Sequence, residues 1–199
     1  MTRHLLAVSL VLLGLSLLAL PASAQEVQDF LRVNYFSNNG VAGAPDATVR
    51  IDNPGSFSNE LFPQNLCAMI YVFDNDQQLT ECCGCLVTPD GLRTLSVGKD
   101  LTSNPLTGVV SNNGVIDILS AQVNNSPCDP TSGLAPIAEV RAWATHIQNK
   151  VGSAYPLTET PFSDVTLNEQ ELEFNLQEQC FFAQRLGSGH GICTCGTGD

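Results

Sequence analysis

The 199-residue chain carries 20 acidic residues against eight lysines and arginines, a formal charge of −12 at pH 7. That balance excludes nucleic-acid binding and adhesion to anionic lipid, both of which need clustered Lys and Arg to neutralise phosphate. Asn, Gln, Ser and Thr carry much of the polarity, the look of an extracellular β-protein, while the acid excess favours solubility without indicating a fold.

The first element is an export signal. Basic Arg3 and His4 precede apolar Leu5–Leu20, and Pro21-Ala22-Ser23-Ala24 supplies an A-x-A pattern with cleavage expected before Gln25. The apolar run of 16 residues is short of the roughly 20 that a membrane span needs. No later stretch is long and apolar enough to span, and no cysteine stands at the cleavage point to take a lipid. No membrane insertion is therefore expected after cleavage, and the destination is secreted or periplasmic. Cleavage removes Arg3 and no acid, leaving seven cations against 20 acids, or −13. The plan is a signal over 1–24 and a single domain over 25–199, whose stretch 187–199 is a cysteine-rich tail. The 175 mature residues suffice for one core and are too few for two comfortable ones.

Period-2 segments follow. Asp29–Phe36 alternates Leu31, Val33 and Tyr35 against Arg32 and Asn34, and Asn38-Asn39-Gly40 is a turn signal. Thr48–Asp52 alternates and ends at Asn53-Pro54-Gly55. Leu66–Phe73 is nearly continuous in apolar residues, the pattern of a strand buried on both faces. Gln78–Cys82, Leu92–Val97, Val115–Val123 and Ile137–Ile147 come next, the last alternating Val140, Ala142 and Ala144 with Arg141, Trp143 and Thr145. Glu171–Leu176 and Cys180–Leu186 close the chain as further strands. Turn signals at Asp90-Gly91 and Asn113-Gly114 punctuate the runs at sandwich spacing. The expected fold is all-β, an antiparallel β-sandwich of Ig-like or jelly-roll type. Pro105–Gly114 and Asn124–Pro136 are the loosest loops, the second tied down by Cys128.

All eight cysteines, Cys67, Cys82, Cys83, Cys85, Cys128, Cys180, Cys193 and Cys195, lie downstream of the signal. An even count in an exported chain argues for disulfides, because nothing keeps thiols reduced in that compartment. A two-residue Asn75-Asp76 hairpin loop puts Cys67 opposite Gly84, and a slip by one or two residues puts it opposite Cys83 or Cys82. Cys67 is therefore expected to bond within the Cys82–Cys85 cluster. Successive strand residues face opposite sides, so Cys82 and Cys83 cannot both bond on one side. Cys193 and Cys195 are expected to bridge back to that cluster, or to Cys128 and Cys180, clamping the tail. The alternative is a thiolate metal site of Cys82, Cys83, Cys85, Cys193 and Cys195 with His190 nearby. The C-C and C-x-C spacings depart from the C-x(2–4)-C knuckles of structural zinc. Cys82-x-x-Cys85 also has redox spacing, but no thioredoxin-like βαβ pattern surrounds it.

Other candidates read as structural. Asp74-Asn75-Asp76 with Gln78 and Glu81 offers oxygens but lacks the glycine and glutamate of a calcium loop. It reads as a solvated turn. His146 reads as a core-edge or surface residue and His190 as an exposed loop histidine, and no G-x-S-x-G elbow marks a nucleophile. Asn124-Asn125-Ser126 is a formal glycosylation sequon. No cofactor is expected.

The block Asn65-Leu66-Cys67-Ala68-Met69-Ile70-Tyr71-Val72-Phe73-Asp74, then Cys82-Cys83-Gly84-Cys85, then Val87–Val97, resembles a group of uncharacterised secreted bacterial proteins. The resemblance spans roughly a third of the mature chain. It implies a bacterial exported protein and supplies no activity or catalytic residue. The expected function is an exported, non-catalytic structural or interaction module for an extracellular or periplasmic protein or glycan. The alternatives are a secreted hydrolase with a loop-built site and a thiolate metal-binding protein. The leashed first strand also leaves room for self-assembly by strand donation.

Overall fold

The computed structural model describes residues 30–58, 63–123, 127–132, 135–167 and 175–196. The signal segment, the sequon and residues 171–174 of the expected Glu171–Leu176 strand lie outside the described residues. Among the described residues nine strands form two antiparallel sheets: β1 (Leu31–Phe36), β2 (Thr48–Asp52), β3 (Leu66–Asp74), β4 (Leu79–Val87), β5 (Leu92–Ser96), β6 (Gly114–Gln122), β7 (Arg141–Ile147), β8 (Leu157–Pro161) and β9 (Ser163–Val165). The first sheet runs β4-β3-β6-β1-β9 and the second β5-β2-β7-β8. This is the expected disulfide-clamped antiparallel sandwich.

β3 shows why the first sheet is so apolar. Leu66, Ala68, Ile70 and Val72 point into the core between the sheets, while Cys67, Met69 and Tyr71 point into a second core on the opposite face. A helix, α1 (Glu178–Leu186), covers that second face with Cys180 and Ala183. β6 divides in the same way, with Ile116 and Ile118 inward and Leu119 and Ala121 toward the helix. β3 is thus sandwiched between two cores, and over Leu66–Val72 it has no solvent face on which polar residues could alternate.

Two expectations fail here. Cys180–Leu186 is helical rather than extended: Leu176, Cys180 and Ala183 are buried at helical spacing, and the body contacts only that stripe. Ile137–Ile147 is strand only from Arg141, although Val140, Ala142 and Ala144 are buried as its alternation requires. β8 and β9 went unanticipated because every residue in them is exposed. They are one stretch bent at buried Phe162, which leaves the second sheet and joins the edge of the first. β1 pairs within its own sheet on both sides, with β6 and with β9.

Candidate functional site

The eight cysteines form four disulfides: Cys67–Cys128, Cys82–Cys180, Cys83–Cys193 and Cys85–Cys195. Strand alternation sorts them. Cys82 faces the helix side and bonds α1, whereas Cys83 and Cys85 face the inter-sheet core and bond the tail. Two C-x-C segments are thereby joined rung to rung. Just ahead of the first rung the tail runs beside β4, where the Cys82 N–H donates to the Gly191 carbonyl at 3.0 Å and Cys193 returns an N–H to the Cys82 carbonyl at 3.4 Å. The tail thus covers the edge of β4, as a clamped terminus should.

The expected bond from Cys67 to the Cys82–Cys85 cluster is wrong. The hairpin loop has three residues, Asn75-Asp76-Gln77, rather than two, and β4 carries a bulge near Thr80; each moves the register by one, so Cys67 stands opposite Leu86, beyond the cluster. Cys83 and Cys85 also face the other side of the sheet. Cys67 instead reaches Cys128, whose carbonyl lies directly over Gly84. A β-carbon at position 84 would fall 2.0 Å from the Cys128 oxygen, so only glycine admits the bridge.

The sulfurs of Cys83, Cys85 and Cys195 lie within 4.8 Å of one another. All three are oxidised, and a disulfide sulfur offers no thiolate to a metal. Asp74 accepts N–H bonds from Asp76 and Gln78, both at 2.9 Å, so its carboxylate caps the hairpin turn. His190 is exposed on the loop after α1. His146 is fully buried, at the edge of the core beside exposed Tyr35 and Thr160. Its Nε2 meets the Thr160 hydroxyl at 2.7 Å and its ring stacks on Tyr35 at 4.0 Å, while burial lowers its pKa.

Two carboxyls are buried against expectation: Glu81, read with Asp74-Asn75-Asp76 and Gln78 as part of a solvated turn, and Asp117, which sequence reasoning missed. Glu81 is fully buried in β4, where burial pushes its pKa up to about 7. One oxygen accepts the Asn104 N–H at 2.9 Å and the other has no partner among the described residues. Asn104 in turn donates its side-chain amide to the Gly189 carbonyl at 2.8 Å, and its own carbonyl accepts the Gly191 N–H. Glu81 therefore anchors the loop that holds the tail. Asp117 in β6 is raised to about 6 by burial. A glutamate beside a cysteine in an alternating strand was the only available signal for the first.

The second sheet differs from the first in having an outer face that no other element covers among the described residues. Val49, Ile51, Ala142 and Ala144 point into the core, so Arg50, Trp143 and Thr145 point outward. Cross-strand register places Arg50 between Thr94 and Trp143, and Trp143 between Arg50 and Pro161. Thr48 and Thr145 share a hydrogen bond at 3.0 Å, and Arg50 pairs with Glu159 at 2.8 Å. Hydroxyls, amphipathic cations and one tryptophan make a polar, nearly flat surface that suits binding.

No protein-family model and no curated protein matches the chain. Among solved structures it is similar to the crystal structure of Thermotoga maritima 1070, at 15% identity and a TM-score of 0.41, covering 68% of this chain and 95% of that one. Likeness at that level carries neither fold nor function across.

Proposed function

We propose that this chain is an exported, non-catalytic interaction module of a bacterial cell, which presents the outer face of its second sheet to an extracellular or periplasmic protein or glycan. The observation that carries this is the contrast between the two sheets. The first is buried on both faces at β3 and tied along β4 to the tail by covalent rungs, whereas the second leaves a row of Arg50, Trp143 and Pro161 facing out. Four disulfides suit an oxidising, extracellular-type environment. The apolar N-terminal segment and the hairpin motif support bacterial export.

The test is to display extracellular glycans and peptides to the oxidised mature protein and recover each ligand for mass analysis. Saturable binding with the ligand unchanged is expected. A ligand cleaved in step with protein concentration would replace this reading with the hydrolase. Free thiols with stoichiometric zinc in purified material would replace it with the metal binder.

A further inference from the structure

The bend at Phe162 opens a cleft. Up to Pro161 the chain pairs with β7, opposite Trp143, and one residue later the Phe162 N–H still reaches the Ala142 carbonyl at 2.9 Å. Beyond that point the chain crosses to the first sheet and pairs with β1. The start of β7 is left without a neighbour from the crossing strand. The resulting hollow of about 240 Å³ is lined by Ala142, Phe162 and Trp143 together with Arg32, Arg141 and Asp164. Its volume lies below the roughly 300–1,000 Å³ of sites for drug-sized ligands, which suits one small ring.

The two arginines differ. Arg32 is mostly buried, donates to the Val140 carbonyl and pairs with Asp164, so it braces the two sheets across the crossing. Arg141 is exposed, and apart from the attraction of Asp52 its guanidinium has no hydrogen bond or ion pair among the described residues. The mature chain has seven cations, and three of them, Arg32, Arg50 and Arg141, gather around its single tryptophan. Elsewhere a surface carrying 20 acids repels an anionic ligand. A planar guanidinium fork matches a carboxylate in a bidentate pair, and an indole carries an apolar ring face beside it.

We propose that this cleft binds an acidic saccharide, with Trp143 against one uronate ring and Arg141 holding its carboxylate. The inference rests on the binding-module reading above and adds the ligand class and the site. The small volume of the hollow and the pairing of ring face with carboxylate favour a saccharide over an extended peptide, which would need a longer groove or a free strand edge.

Trp143 is the chain's only tryptophan, so the fluorescence of the oxidised mature protein reports the cleft directly. The probes are tetramers of galacturonate and of mixed mannuronate and guluronate, the methyl ester of the first, neutral galactotetraose, and a tetrapeptide with a free C-terminal carboxylate. At least one uronate tetramer should give a saturable change, with the ester and the neutral tetramer at least tenfold weaker. Arg141→Gln should lose about tenfold in affinity at an unchanged melting temperature, and Arg141→Lys should recover part of it. Equal binding of acid and ester, an unaffected Arg141→Gln, or no response to either uronate would overturn the proposal. So would preference for the tetrapeptide. Binding of a neutral glycan or a protein that ignores Arg141 would remove the cleft and leave the binding module standing, whereas cleavage of a uronate tetramer would remove both.

Discussion

Glu81 couples protonation to the tail through one hydrogen bond. Its carboxyl titrates near 7 in the fold, against 4.5 when exposed, so the folded chain binds the proton more tightly than the unfolded one. Stability is then fully present below about pH 4.5 and lost as pH rises toward 7, by an amount on the order of 3 kcal/mol. Asp117 adds a loss of the same sign over a lower window, from 3.8 to about 6. Urea unfolding with the disulfides intact should therefore give a higher midpoint at pH 4.5 than at pH 8. Glu81→Gln, which keeps an acceptor for the Asn104 N–H and carries no charge, should flatten most of that difference; an unchanged pH profile would remove Glu81 as its source. Gly84 makes a second residue-scale case. Gly84→Ala puts a methyl group into the Cys128 carbonyl, and non-reducing peptide mapping of that variant should find Cys67 and Cys128 as free thiols or mispaired.

At the scale of elements, the tail acts as a substitute strand. An exposed edge offers unpaired N–H and C=O groups to any passing strand, and β4 is an edge of the first sheet. Replacing Cys83, Cys85, Cys193 and Cys195 together by serine should remove roughly 2–4 kcal/mol per disulfide. It should also speed hydrogen exchange in Leu79–Val87 while leaving Arg141–Ile147 close to wild type; uniform exchange across both would show that the tail protects nothing local. How legible each element was in the sequence follows from which of its faces are buried. β3 could be read outright because both faces are apolar, and the opposite facing of Cys82 and Cys83 followed from the pleat alone. The bulge near Thr80 shows in no residue type, and it moved Cys67 away from the cluster. α1 was misread because Phe181 and Phe182 are half-exposed beside its buried stripe, which blurs a period of 3.6 into something like alternation. The outer face around Trp143 could be seen only as the polar half of an alternating strand, and the cleft depends on a crossing that exposed β8 and β9 gave no pattern to reveal.

The whole molecule is built around bridges between distant parts of the chain. Intact-mass analysis of secreted material should begin at Gln25 and fall eight hydrogens below the reduced sum, two for each disulfide. A species retaining Met1 would refute export by cleavage. β1 contributes Leu31 to one core and Phe36 to the other, and it is flanked by β6 and β9. Donation of this strand to a neighbour would therefore empty both cores, and light scattering should find a monomer at all concentrations.

The rungs between β4 and the tail each span 110 residues, and this sets an order of events during biogenesis. The β3–β4 hairpin is synthesised long before the segment that will shield its flank. Through that interval the hairpin is an open template bearing Cys82, Cys83 and Cys85 as unpaired thiols, each near enough to a neighbour to cross-link wrongly. Correct pairing thus waits for Cys193 and Cys195, the last cysteines of the chain to be made, and these close the edge.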